Sequence, residues 1–64
     1  MTANQFRAAL SRLGLPQLAA ARLFGADGRT VRRWALGERP VPYTVVILLR
    51  LLIAGKISVE DIEA

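Results

Sequence analysis

The fold of this chain is decided by residues 17–34, which read QLAAARLFGADGRTVRRW. Gly25 and Asp27 divide this stretch, because glycine favours the left-handed conformation that ends a helix and aspartate is a preferred N-cap. The alanines at 19–21 have high helix propensity, and their small side chains let another helix approach closely. The sequence therefore predicts a short helix, a tight turn and a second helix at residues 28–36.

The second predicted helix has two chemically different sides. Residues of an α-helix are about 100° apart around the axis, so five of them share an arc of roughly 140°. These five are Gly28, Arg29, Arg32, Arg33 and Leu36. Val31, Trp34 and Ala35 lie on the opposite side. We expect the apolar side to pack against the rest of the chain and the basic side to face solvent.

Helices are also predicted before and within this stretch. Thr2 and Gln5 have the spacing of a capping box for a first helix that ends near Leu13. Its buried side is predicted to hold Phe6, Ala9, Leu10 and Leu13. The next helix is predicted to begin at Pro16, with Leu18, Ala21 and Phe24 pointing inward.

Two further helices are predicted after an extended, Pro-containing connector at residues 38–42. The first starts near residues 42–43 and runs to about residue 54, with Val45, Leu48, Leu49 and Leu52 on one side. It is apolar nearly all round, which fits either ordinary core packing or a dimer surface. Ser58 is the predicted cap of a last helix at residues 59–64, on which Val59 and Ile62 dock.

These elements predict an all-α fold, a compact bundle of about five short helices. We expect one domain over residues 1–64, with a helix-turn-helix at about residues 16–36. A chain this short buries only about 60% of its unfolded surface, so it depends on a close-packed core.

The charge distribution favours a polyanionic partner. Residues 1–56 hold all nine basic residues and two of the five acidic ones, whereas residues 57–64 hold three acidic residues. Residues 1–56 therefore carry a charge of +7 and residues 57–64 a charge of −3, which gives the net charge of +4. A basic balance favours nucleic acid first and an anionic membrane surface second. Eight of the basic residues are Arg, which suits phosphate and guanine, although a GC-rich genome also enriches Arg.

Residue types that are missing or scattered argue against several other functions. The chain has no Cys and no His, which excludes disulfides and most zinc and His-based catalytic sites. The acidic residues show no pair at a useful spacing, so we expect no enzyme, cofactor or metal. The apolar run at residues 45–54 is half the length of a membrane span, and the N-terminus lacks a signal peptide pattern. We therefore expect a cytoplasmic protein.

Residues 16–42 resemble the helix-turn-helix pattern of the Cro/phage-repressor family, also called XRE-like or lambda repressor-like. The pattern is matched without gaps at Gln17, Ala21, Phe24, Gly25, Thr30, Val31, Arg33, Trp34 and Gly37. The connector ERPVP fits the basic, Pro-containing loop that follows in that family. The predicted layout of five helices also fits the family's domain.

This resemblance implies a sequence-specific DNA-binding transcriptional regulator, repressor-like or antitoxin-like, of bacterial or phage type. It implies a homodimer on palindromic double-stranded DNA, associated with the nucleoid. Gln17 and Arg39 then correspond to phosphate-contacting positions. Positions that read bases or touch neighbouring phosphates correspond to Gly28, Arg29, Thr30, Arg32 and Arg33.

The chain departs from the family pattern at three places. Pro16 stands where Ser or Thr is usual, and Gly28 brings no side chain to an early base-reading position. Ala26 and Asp27 replace the common Val-Ser pair of the turn. We expect reading to shift to Arg29, Arg33 and Thr30, and the Asp27 carboxylate to face the end of the helix.

Several residues also have a simpler interpretation. The arginines of the second helix could be a solvated face, Gln17 an exposed first-turn residue, and Trp34 a core residue rather than a base-stacking one. Tyr43 fits packing at a helix start slightly better than a phosphate contact. Arg7 and Arg12 are expected to be surface charges or salt-bridge partners before phosphate contacts. As a whole, the chain could be a protein-interaction module that kept a helix-turn-helix fold and lost DNA reading.

Overall fold

The structure is a computed structural model that describes residues 1–63. Over that range the only regular secondary structure is α-helix. The five helices are α1 (Ala3–Leu13), α2 (Gln17–Phe24), α3 (Gly28–Leu36), α4 (Tyr43–Ile53) and α5 (Val59–Glu63). The predicted all-α bundle of five short helices is therefore confirmed. The predicted end of the last helix at Ala64 lies outside the described residues. No helix in the described range is long and apolar enough to cross a bilayer.

Local side-chain hydrogen bonds fix where α1 and α5 begin. Gln5 N donates to Thr2 Oγ1 at 3.1 Å, and Thr2 N donates to Gln5 Oε1 at 2.8 Å, which completes the predicted capping box of α1. Ser58 and Asp61 bond in the same reciprocal way at the start of α5. These bonds satisfy backbone N–H groups that have no partner inside the helix.

The core is formed mainly by α1, α2, α3 and α4 around a few fully buried side chains. Phe6, Val31 and Leu49 have no exposed surface. The rings of Phe6 and Trp34 meet edge to face, with centroids 5.9 Å apart and planes at 89°. Trp34 is only 6% exposed, which confirms its interpretation as a core residue.

The start of α2 differs from the prediction. Pro16 is the N-cap rather than the first helical residue, because its ψ of 156° is extended and α2 begins at Gln17. Leu18 was expected to point inward but is 60% exposed. The buried residues of α2 are Ala20 and Ala21. Leu18 lies about 110° around the helix from the centre of that buried stripe.

α4 is also turned slightly from its predicted orientation. Val46 is buried on the core side, whereas Leu48 is only half-buried. Tyr43 is 74% exposed, so the predicted packing role at the helix start is wrong. Ile47, one turn later, is 37% exposed. The first turns of α4 therefore present apolar surface to solvent.

Candidate nucleic-acid interface

The turn between α2 and α3 holds the two helices together. Gly25 ends α2 with a φ of 67°, a conformation that glycine adopts without steric cost. Ala26 N donates to the Ala21 carbonyl at 2.9 Å, and Asp27 is extended before α3 begins. α2 and α3 pack on each other through the small side chains of α2. The predicted helix, tight turn and second helix are thus present.

Asp27 caps α3 as predicted. Its Oδ1 accepts a hydrogen bond from Thr30 N at 2.7 Å, so the carboxylate faces the end of the helix. The Thr30 backbone N–H lowers the pKa of Asp27 below its ordinary 3.8, with smaller contributions from the Thr30 hydroxyl and the Arg29 charge. The carboxylate is therefore charged at neutral pH while it satisfies the helix.

The buried side of α3 is anchored against α1 and α2. Val31, Trp34 and Ala35 are all buried, as their spacing predicts. The Arg7 guanidinium donates hydrogen bonds to the Ala35 carbonyl and to Asn4 Oδ1. A cation at this end of α3 also suits the negative end of the helix dipole. Sequence reasoning missed this role, because the acceptor is a backbone atom 28 residues away and gives no side-chain signal.

The opposite side of α3 is basic and open to solvent. Arg29 and Arg32 are exposed and Arg33 is half-buried. Together with Leu36 and Glu38 they line a shallow depression of about 260 Å³. Guanidinium groups carry five N–H donors in a planar fork, which matches the paired acceptors of phosphate and of guanine. The arrangement can therefore bind an anionic, acceptor-rich surface.

The connector after α3 brings further polar residues to this side. Glu38 N donates to the Arg33 carbonyl at 2.9 Å, which turns the chain back at the end of α3. A groove of about 430 Å³ follows, between α3 and the connector. It is lined by Thr30, Arg33, Trp34, Arg39, Pro40 and Pro42. The structure thus brings Thr30, Arg33 and Arg39 together.

The two remaining predicted site residues lie at the N-terminal ends of their helices. Gln17 is exposed as the first residue of α2, and Gly28 is exposed as the first residue of α3. Neither lines the depression or the groove. Leu18, which the sequence placed in the core, stands beside Gly28 on the surface.

Comparison with protein-family models, curated proteins and solved structures finds no match for this chain in any of the three.

Proposed function

We propose that this protein is a sequence-specific DNA-binding transcriptional regulator that reads the major groove with α3. The observation that supports this best is the division of α3 into two sides. One side is buried in the core. The other side carries Arg29 and Arg32, which are exposed, and Arg33, which is half-buried. A major groove about 12 Å wide accepts one α-helix, and a helix that reads it must be rigid on its protein side.

In this proposal the arginines of α3 supply base recognition. Arg29 and Arg33 each donate two hydrogen bonds to O6 and N7 of guanine, at roughly 1–3 kcal/mol of discrimination per pair. Arg32 contacts a base or a neighbouring phosphate. Thr30 lines the groove beside the connector and accepts or donates at either a base or a phosphate.

Phosphate contacts hold the domain in register. Gln17 stands at the N-terminus of α2, where free backbone N–H groups and the helix dipole favour an anion. Arg39 lies in the connector and lines the groove beside α3. Contacts from these two residues to phosphates would fix the register of α3 on the duplex.

The proposed assembly is a homodimer of the Cro/phage-repressor type, in the cytoplasm and on the nucleoid. One helix of nine residues reaches only a few base pairs. Two copies on half-sites about 34–36 Å apart double the recognised sequence. The resemblance of residues 16–42 to that family supports this part of the proposal.

The test is selection from a random pool of double-stranded DNA, followed by affinity measurements across a salt series. We expect a short, G-containing sequence to be enriched. Arg29→Gln and Arg33→Gln should each lose selectivity for one guanine by about 5- to 150-fold, the equivalent of 1–3 kcal/mol. Arg50→Gln is the matched control, since Arg50 is an exposed arginine on α4, and should leave selectivity unchanged.

Weak, unselective binding that is lost at modest salt would contradict sequence-specific recognition and leave only a general affinity for polyanions.

The alternative is a protein-interaction module, favoured by the exposed Tyr43 and Ile47 on α4. Tyr43→Ser with Ile47→Ser would abolish binding of a protein partner and leave DNA selection intact. Charge reversal of Arg29 and Arg33 would leave binding of that protein partner intact and abolish DNA selection.

A further inference from the structure

Leu18 is an exposed apolar side chain in a polar setting. It is 60% exposed, in the first turn of α2, between the site residue Gln17 and the start of α3. Its Cδ1 atom lies 3.9 Å from the position that a Cβ on Gly28 would occupy. Leu18 therefore extends across the gap between the N-terminal turns of α2 and α3.

Gly28 has no structural need to be a glycine. It is absent from the glycines with positive φ, so its backbone suits any L-residue. A Cβ there would meet Leu18 Cδ1 at ordinary van der Waals distance, and outside its own helix and chain neighbours it would meet no other atom within 4 Å. Glycine is also a weaker helix former than alanine. The missing side chain leaves open space at the first turn of α3.

These two residues form a small apolar notch, which we define as the Leu18 side chain and the space beside it above Gly28. A Cβ on Gly28 would occupy the space beside Leu18 Cδ1, so a side chain as small as that of alanine reaches into the notch. Its sequence neighbours are polar, with Gln17 before Leu18 and Arg29 after Gly28. A methyl group presented between polar atoms is therefore the group that fits it.

We infer that the notch binds the 5-methyl group of a thymine, which makes Leu18 and Gly28 determinants of sequence specificity. This rests on the proposed function. In the major groove thymine alone presents a methyl group, whereas the other bases present polar atoms there. With Arg29 next to the notch, the preferred sequence carries a thymine close to a guanine.

The experiment uses the sequence selected by the whole protein. Each thymine is replaced in turn by deoxyuridine, which removes the methyl group and keeps every hydrogen-bonding atom. Affinity is measured by fluorescence anisotropy at one salt concentration. We expect one thymine per half-site at which deoxyuridine weakens binding about fourfold, the equivalent of about 0.8 kcal/mol for one buried methyl.

Two variants connect this effect to the notch. In Leu18→Ala the deoxyuridine effect should fall below twofold, because the apolar wall is removed. Gly28→Ala fills the notch with its own methyl, so the preference for thymine should disappear or reverse. Ile47→Ala is the matched control, since Ile47 is an exposed apolar residue on α4 that lines neither the depression nor the groove beside α3, and should keep the fourfold effect. Far-UV circular dichroism and melting check that each variant folds.

The outcomes separate this inference from the proposed function. If a sequence is selected but no deoxyuridine substitution changes affinity, the notch does not bind thymine and DNA reading stands. If Ile47→Ala reduces the effect as much as Leu18→Ala does, the assignment to Leu18 and Gly28 is wrong. If no sequence is selected at all, both the inference and the proposed function are overturned.

Discussion

Asp27 is the residue that makes the start of α3 sensitive to pH. Its pKa is lowered below 3.8, chiefly by the Thr30 backbone N–H that it binds in the folded state. A lowered folded pKa means that the carboxylate's contribution to stability is fully present above the unfolded value. It is lost as the pH falls from 3.8 through the lower folded pKa.

We therefore predict that Asp27→Asn loses this part of the pH dependence and still caps α3, because an amide oxygen also accepts from Thr30 N. Thermal unfolding of both proteins between pH 2 and pH 7 measures the difference. Glu38→Gln is the control, since Glu38 is an exposed carboxyl with no cap bond, and should keep the wild-type profile. Identical profiles for Asp27→Asn and wild type below pH 4 would show that the cap bond does not set the pKa.

Arg7 connects α1 to the C-terminal end of α3 through the Ala35 carbonyl. Arg7→Met keeps the aliphatic stem and removes the guanidinium. We expect it to lower the free energy of unfolding by about 1.5–3 kcal/mol, the typical contribution of a hydrogen bond to a charged group. Arg12→Met, an exposed arginine on the same helix, should change it by less than about 0.5 kcal/mol. Urea unfolding measures both variants. Equal losses of unfolding free energy would show that the Arg7 hydrogen bond does not stabilise the contact between α1 and α3.

At the scale of elements, the stability of α3 depends on its C-cap as well as on its N-cap. Gly37 closes it with a φ of 77°, and a Cβ there would lie 3.4 Å from the Ala3 Cβ. Gly37→Ala should cost roughly 1–2 kcal/mol of stability because the left-handed conformation is strained for alanine. Gly28→Ala, at an ordinary φ in the same helix, should be neutral or slightly stabilising. Chemical denaturation of both variants measures the difference in their unfolding free energies. Equal values would show that the positive φ of Gly37 is not the cause.

The elements also show what the sequence can and cannot predict. The two sides of α3 and its cap at Asp27 were predicted correctly, because periodicity and capping are local properties of nine residues. The inward direction of Leu18 was wrong, because α3 packs on the alanines of α2 and that choice is made by tertiary contact. The proximity of Arg39 to Thr30 depends on the path of the connector, for which the sequence gives only an extended conformation.

At the scale of the whole molecule, the core and the basic surface share one element. The side of α3 that packs on Phe6 is the reverse of the side that carries the arginines. A shift of the core therefore moves the candidate interface directly. With so few residues, no second layer of packing separates the two.

Trp34 is the sole tryptophan of the chain and lies at this junction, so its fluorescence reports the packing of α3. Phe6→Ala removes the fully buried ring that meets it and should cost about 3–5 kcal/mol, which is most or all of the roughly 5 kcal/mol typical of a small domain. Phe6→Leu keeps most of the volume, so it should stay folded with a lower urea midpoint. Fluorescence and far-UV circular dichroism should then give coincident transitions, since all four large helices share this core. A Trp34 transition that precedes the loss of helix would instead mean that α3 detaches while the rest of the bundle persists.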